Sequence, residues 1–166
     1  MTNLLTNRIK FLAIFIASFS LVLTAIYIEP FKSLDPCPMC MMQRAIFVIL
    51  GTFALLAALH NPAALGARIY AAITTVTAGF GIAVASRQLW LQSLPEDRVP
   101  ACGPGLDYML DVFPLLEVIE MALRGTGDCA KVQWTFMNLS IPAWSWLAFA
   151  IMAAISLWVL LKPKQA

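Results

Sequence analysis

The chain has 166 residues, of which 61% are hydrophobic and only 12% charged, and its mean hydropathy is +0.82. A soluble domain of this length carries roughly twice that fraction of charge, so the composition excludes an ordinary soluble globule and points to an integral membrane protein. The net charge of +2 is too small to argue for a polyanionic partner, and no nucleic-acid partner is expected.

Arg8 and Lys10 precede an uncharged stretch, Phe11 to Ile28, whose 18 residues rise roughly 27 Å as a helix, close to the hydrocarbon thickness of a bilayer. A cleaved signal peptide also starts with a basic region and an apolar run. No small-x-small cleavage site precedes Glu29-Pro30, so a retained span over about 11–28 is expected. A second span covers about 41–60 and ends at His60-Asn61-Pro62, whose turn residues predict a tight connection. The third covers about 69–91, beginning after Arg68, and contains Gly79 and Gly81 among small residues, as where membrane helices approach closely. The fourth, about 142–161, ends at Lys162 and Lys164. The expected fold is all-α, a single membrane domain over 1–166 built as a four-transmembrane-helix bundle, with outer loops at about 29–40 and 92–141.

Four spans put both termini on one side. Arg8, Lys10, Arg68, Lys162 and Lys164 flank that side without any acidic residue, so by the positive-inside rule it is cytoplasmic. All nine acidic residues and all four cysteines (Cys37, Cys40, Cys102, Cys129) fall on the other side. In a bacterium that side is the periplasm, where disulfides persist.

The long outer segment carries seven acidic against three basic residues. Its first part, Ser93 to Gly105, is rich in Pro and Gly and presents Cys102 in a mobile or extended stretch. From Pro114 to Arg124 the periodicity is helical: Leu115, Leu116, Ile119 and Leu123 share one face, and Glu117, Glu120 and Arg124 the other, with Glu120 and Arg124 at salt-bridging spacing. This helix is too short to span and is expected to lie in the headgroup plane as a short amphipathic interfacial helix. Gly125-Thr126-Gly127-Asp128 stops it and delivers Cys129. Trp134, Phe136, Trp144 and Trp146 suit an interfacial aromatic belt before the last span.

The chemistry concentrates at Cys37-Pro38-Met39-Cys40-Met41-Met42-Gln43-Arg44. Pro38 suits the first helical position, where its missing amide hydrogen costs nothing, which makes Cys37 the N-cap and closes the first turn at Cys40. The unpaired amides and positive dipole end of that helix favour thiolate, the nucleophile of disulfide exchange. Arg44 lies one turn beyond Cys40 on the same face, where it faces a sulfur or an anionic partner, or serves as a snorkelling helix-end cation. Three readings of the cysteines compete. Structural disulfides suit Cys102 with Cys129, which enclose a long loop, but a Cys-x-x-Cys bridge closes too small a loop to act as a staple. A zinc site has ligand spacing at Cys37 and Cys40 but no second knuckle. A thiol relay uses Cys102 and Cys129 as a water-side pair and Cys37 and Cys40 as a pair at membrane depth, placed to hand electrons to a lipid-soluble quinone.

The four spans, Cys37-Pro38-Met39-Cys40 with Gln43-Arg44, the lone Cys102, and Gly127-Asp128-Cys129-Ala130 followed by Gln133-Trp134, Phe136, Leu139, Pro142 and Trp144 together resemble the disulfide bond formation protein B family, DsbB, over nearly the whole chain. The resemblance implies a multi-pass protein of the bacterial inner membrane, with active cysteines in the periplasm, that sustains disulfide formation in exported proteins. It implies that a reduced thioredoxin-fold partner of the DsbA type attacks at Cys102, that Cys129 then attacks Cys37, and that Cys40 faces a quinone, ubiquinone or menaquinone, with Arg44 stabilising negative charge. At the outer end of the third span a histidine is expected for the family, and this chain reads Ser86-Arg87-Gln88-Leu89-Trp90. Gln88 can hydrogen-bond a quinone carbonyl but does not titrate near neutral pH. Arg87 is a second candidate cation there, or an ordinary helix-end arginine. A membrane scaffold with purely structural disulfides, and a relative dedicated to one thiol substrate, are the alternatives.

Overall fold

The computed structural model describes residues 2–32, 36–103 and 106–161. Four of its helices are long and apolar enough to cross a membrane: α1 (Thr2–Lys32), α2 (Pro38–His60), α3 (Ala64–Gln92) and α7 (Ile141–Leu161). Between α3 and α7 come a 3-10 turn at Glu96–Arg98, then α4 (Leu106–Val112), α5 (Leu115–Arg124), α6 (Gly127–Ala130) and the strands β1 (Thr135–Phe136) and β2 (Leu139–Ser140). The all-α, four-span architecture expected from the hydropathy is the one found. The basic flank at Lys162 and Lys164 lies outside the described residues, as do Asp35 of the first loop and the Pro104-Gly105 end of the Cys102 segment.

The first helix continues beyond its expected end, through Glu29 and Pro30 to Lys32. Proline lacks an N–H and leaves the Ile26 carbonyl without its helical donor, but in the last turn that loss does not propagate. The extra turn matters because it carries Glu29 over the start of α2. The helix α3 also starts earlier than the third apolar run, at Ala64, just after the connection at Asn61-Pro62. Asn61 ends α2 in the left-handed conformation (φ 41°, ψ 54°), its N–H donating to the Ala57 carbonyl at 3.0 Å, which is the tight turn that Asn and Pro predict.

In the bundle α1 packs on α2, α2 on α3, and α3 most extensively on α7. The core is aliphatic and aromatic, with Phe11, Ile14, Leu50 and Phe149 fully buried. Phe149 joins three helices: its ring stacks on Phe47 of α2 at 3.8 Å between centroids, and it lies over Gly81 of α3, where an added Cβ would meet the ring at 2.7 Å. Gly81 is therefore a packing glycine, because any side chain would push α7 off α3. Gly79 has no such neighbour within 4 Å, so only one of the two glycines singled out in α3 serves a close approach.

The outer segment is more structured than a loop. Glu120 and Arg124 of α5 form the expected ion pair at 2.6 Å, exposed on both sides and so worth little. Leu115, Leu116 and Ile119 face outward while Val118 and Ala122 are buried. A hairpin turns through Met137 and Asn138, both with positive φ (51° and 65°), and pairs Phe136 with Leu139. The aromatic residues read as a belt partly gather around it. Trp144 Nε1 donates to the Phe136 carbonyl at 3.1 Å, and the Phe136 ring lies 6.0 Å from both Trp134 and Trp144. Trp146 turns to α3 instead, donating to Ser86 Oγ at 3.0 Å.

Candidate active site

Cys37 caps α2 in extended backbone (φ −70°, ψ 160°), with Pro38 starting the helix and the Cys37 sulfur accepting from the Cys40 N–H at 3.4 Å. This is the capping arrangement the Cys-Pro-x-Cys spacing predicts, and it brings the two thiols to within 2.9 Å of each other. Cys37 is buried and Cys40 half-buried. All four cysteines are free thiols.

From α3, Gln88 reaches this pair, its Nε2 lying 3.3 Å from the Cys37 sulfur and 3.2 Å from that of Cys40. Its Oε1 accepts a 2.7 Å hydrogen bond from Gln43 Nε2 of α2. Sequence reasoning singled out Gln88 for a quinone carbonyl. The structure turns its amide hydrogens onto the sulfurs and adds Gln43, which in the sequence reads as one polar residue beside an arginine. Arg87 points elsewhere: its guanidinium lies 4.3 Å over the Trp90 ring and donates to the Arg124 carbonyl at 3.2 Å. The next residue on a helix is rotated by roughly 100°, so Gln88 facing inward turns Arg87 outward. Arg87 does not line the cleft described below.

Arg44 lies one turn beyond Cys40 and is ion-paired with Glu29 of α1, both side chains about four-fifths buried, with 19% and 20% exposure. In the sequence Glu29 reads only as the first residue of an outer loop. No local pattern announces the pair, since it depends on α1 continuing one turn past the apolar run.

The other two cysteines reach this place from the long outer segment. Cys129, in α6, is fully buried. Its thiol is pushed down to about 6, chiefly by a hydrogen bond from the Cys37 thiol, against the opposing effect of burial and with help from the backbone amides of Thr126 and Met39. Met39 belongs to the first turn of α2, so the amide-rich end of that helix serves Cys129 from outside as well as its own cysteines. The sign is simple: a lowered pKa means that thiolate persists as pH falls until about 6. In the reduced chain, the thiolate absorbance near 240 nm that a Cys129→Ser substitution removes should rise through a midpoint near pH 6. A midpoint near the ordinary value of about 9 would remove the Cys37–Cys129 hydrogen bond from the account.

Cys102 is exposed. Its segment is docked on α6: Gly127 N–H donates to the Ala101 carbonyl at 3.1 Å, and a Cβ on Gly127 would meet the Pro100 carbonyl oxygen at 2.5 Å and the Cys102 sulfur at 3.3 Å. Lys131 Nζ lies 3.7 Å from the Cys102 sulfur and 3.0 Å from Asp128 Oδ1. The stretch expected to be mobile or extended is held, where described, against the turn that carries Cys129. Gly127→Ala should free it. Oxidation of Cys102 with Cys129, followed by thiol mapping under a mild oxidant, is expected to slow by about tenfold, since ring closure gains its rate from orientation; an unchanged rate would show that the contact does not align the pair.

Cys37, Cys40, Gln43, Arg44 and Gln88 open onto a cleft between α1, α2, α3 and α7. Leu21, Val22, Ala25 and Phe47 supply apolar walls, while Glu29, Asp128 and Lys131 stand at the polar end. These residues fit a quinone ring: a flat apolar body against aliphatic and aromatic side chains, with donors to its carbonyls beside the thiols.

The family model for disulfide bond formation protein DsbB matches residues 7–159. Among curated proteins, the chain is 54% identical over 151 residues to disulfide bond formation protein B of Hahella chejuensis, covering 91% of this chain and 92% of that one. It is 49% identical over 158 residues to the protein of that name from Marinobacter nauticus, covering 95% and 94%. With the one from Chromobacterium violaceum it shares 41% identity over 161 residues, covering 97% of each.

Proposed function

This chain belongs to the DsbB family of disulfide bond formation proteins, and from that premise we propose how its own residues divide the work. The protein is a multi-pass inner-membrane thiol oxidoreductase that reoxidises a dithiol oxidase and passes the electrons to a quinone. The observation that carries our assignment of residues is the meeting of three sulfurs: Cys37 in contact with Cys40 at 2.9 Å and in hydrogen bond with Cys129, beside a fourth on the docked, exposed segment.

In the oxidised protein Cys102 is bonded to Cys129, and Cys37 to Cys40. A thiolate of the reduced partner, a periplasmic thioredoxin-fold protein of the DsbA type, attacks the exposed Cys102 sulfur; the Cys102–Cys129 bond breaks and Cys129 leaves as thiolate. A leaving thiol of low pKa departs fast, and the surroundings that favour the Cys129 thiolate serve this step. The partner's second thiolate then attacks its own sulfur in the mixed disulfide, releasing the partner oxidised and Cys102 reduced. Cys129 attacks Cys37, breaking the Cys37–Cys40 bond and linking the two loops; Cys40 leaves as thiolate, with the Gln88 amide hydrogens on it. Cys102 attacks Cys129 to restore the outer disulfide, freeing Cys37. The inner pair then holds two electrons and two protons more than it did. When bound, the quinone accepts those two electrons. The apolar walls exclude water from it, and Arg44 supplies fixed positive charge beside Cys40. Arg87 has no part in this assignment. The cysteine-bearing face is periplasmic and both termini cytoplasmic, supported by the basic flanks at Arg8, Lys10 and Arg68 and by the dithiol chemistry itself.

The test is reconstitution. Full-length protein in detergent, a reduced thioredoxin-fold partner and a soluble quinone analogue should give continuous loss of quinone absorbance, one quinone consumed per partner disulfide formed. A ratio far from one would break the electron balance of this scheme.

A further inference from the structure

Gln43 of α2 and Gln88 of α3 form a buried polar pair, at 4% and 2% exposure. Their 2.7 Å hydrogen bond runs in a definite direction, from the Gln43 amide hydrogens to the Gln88 carbonyl oxygen. A primary amide has a donating end and an accepting end, so fixing one fixes the other. With its oxygen held by Gln43, Gln88 presents its NH₂ to Cys37 and Cys40 at 3.3 Å and 3.2 Å. Turned over, it would present a carbonyl oxygen, which repels a thiolate and rewards a thiol. We propose that Gln43 is a positioning residue for the inner cysteine pair: it sets the polarity of the Gln88 amide so that hydrogen-bond donors face Cys40 when that sulfur is thiolate.

A glutamine alone in this place has no fixed orientation. Its two ends are nearly equal in shape, and the sulfurs accept hydrogen bonds as thiolates and donate as thiols. The Gln43 donor removes that symmetry, and burial strengthens its influence, since a buried carbonyl left without a donor is costly and no water competes. The other charged or titratable groups opening on the same cleft are the Glu29–Arg44 ion pair, Asp128 and Lys131, with Cys37 adjacent and Cys129 beyond it. The proposal rests on the reading of Cys40 as the sulfur released toward the quinone, yet it concerns an equilibrium measurable without quinone or partner.

The experiment follows the alkylation of Cys40 by iodoacetamide against pH, in the reduced full-length chain, with peptide masses identifying the residue. Gln43→Met keeps the volume and removes the donor. It is expected to raise the midpoint for Cys40 by about half to one pH unit, a three- to tenfold smaller dissociation constant. The same substitution made in a Gln88→Met chain should move the midpoint by less than a third of that, because the residue through which Gln43 acts is gone. An equal shift in both chains, or none in either, overturns the proposal. A mere clasp between α2 and α3 would lower thermal stability and leave the midpoint alone. Should Gln43→Met fold poorly, Gln43→Glu answers the same question: its carboxylate accepts from the Gln88 NH₂ and turns the Gln88 oxygen to the sulfurs, so its upward shift must be larger with Gln88 present than with Met in its place. Failure of the relay would show separately, as quinone turnover that survives Cys40→Ser.

Discussion

Cys40→Ser and Cys102→Ser each lower continuous quinone reduction by at least about 1000-fold, since a serine hydroxyl is neither a thiolate nucleophile nor a disulfide partner. They fail at different stages, and the difference is diagnostic. The Cys40→Ser chain keeps its outer disulfide, so it oxidises one equivalent of the reduced partner and then stops. The Cys102→Ser chain has no outer disulfide for the partner to attack and yields no such burst, although its inner pair is still oxidised by quinone. Stoichiometry of partner oxidation, measured by quenching with a thiol-alkylating reagent, separates the two. Unchanged turnover in either variant would remove that cysteine from the relay and overturn the scheme.

Arg44→Ala is expected to raise the apparent KM for quinone about tenfold, corresponding to loss of one charge-assisted hydrogen bond of about 1.5 kcal/mol. It should also lower Tm by several degrees, because Glu29 would be left about four-fifths buried without its cation. The two effects are separable through the partner. Glu29→Gln removes the counter-charge while keeping the arginine, so it should share the loss of stability and not the rise in KM. An unaltered KM in Arg44→Ala would return Arg44 to the role of a helix-end cation held by Glu29. Arg44→Lys should fall between, since an ammonium keeps the charge but not the planar fork.

The ion pair also explains why the cation was only half legible. The spacing from Cys40 to Arg44 is local, one helical turn, and places both on one face whatever the rest of the chain does. Glu29 is 15 residues away on another helix, and it reaches Arg44 only because α1 runs on through Pro30. A proline after an apolar run is a fair sign of a helix end, yet in the last turn it forfeits a single hydrogen bond. Packing of α1 on α2 outweighs that. Arg87 and Gln88 make the same point from the other side: adjacent in sequence, both were candidates for the cleft, and the rotation of α3 admits one and excludes the other.

Legible in the sequence is whatever depends on hydropathy summed over a span or on contacts within one turn. That covers the four spans, the Cys37 cap with Pro38 at the first helical position, the tight connection at Asn61-Pro62, the Glu120–Arg124 pair and, by resemblance, the family. The tertiary structure alone decided which groups meet across helices: Glu29 with Arg44, the Gln43–Gln88 pair 45 residues apart, Phe149 on Gly81, and the seating of the Cys102 segment on Gly127. The physical reason is that hydropathy constrains how deep a helix sits but scarcely constrains its rotation about its own axis. Rotation is settled by close packing between helices, and in this chain that packing brings Gln43 of α2 to Gln88 of α3.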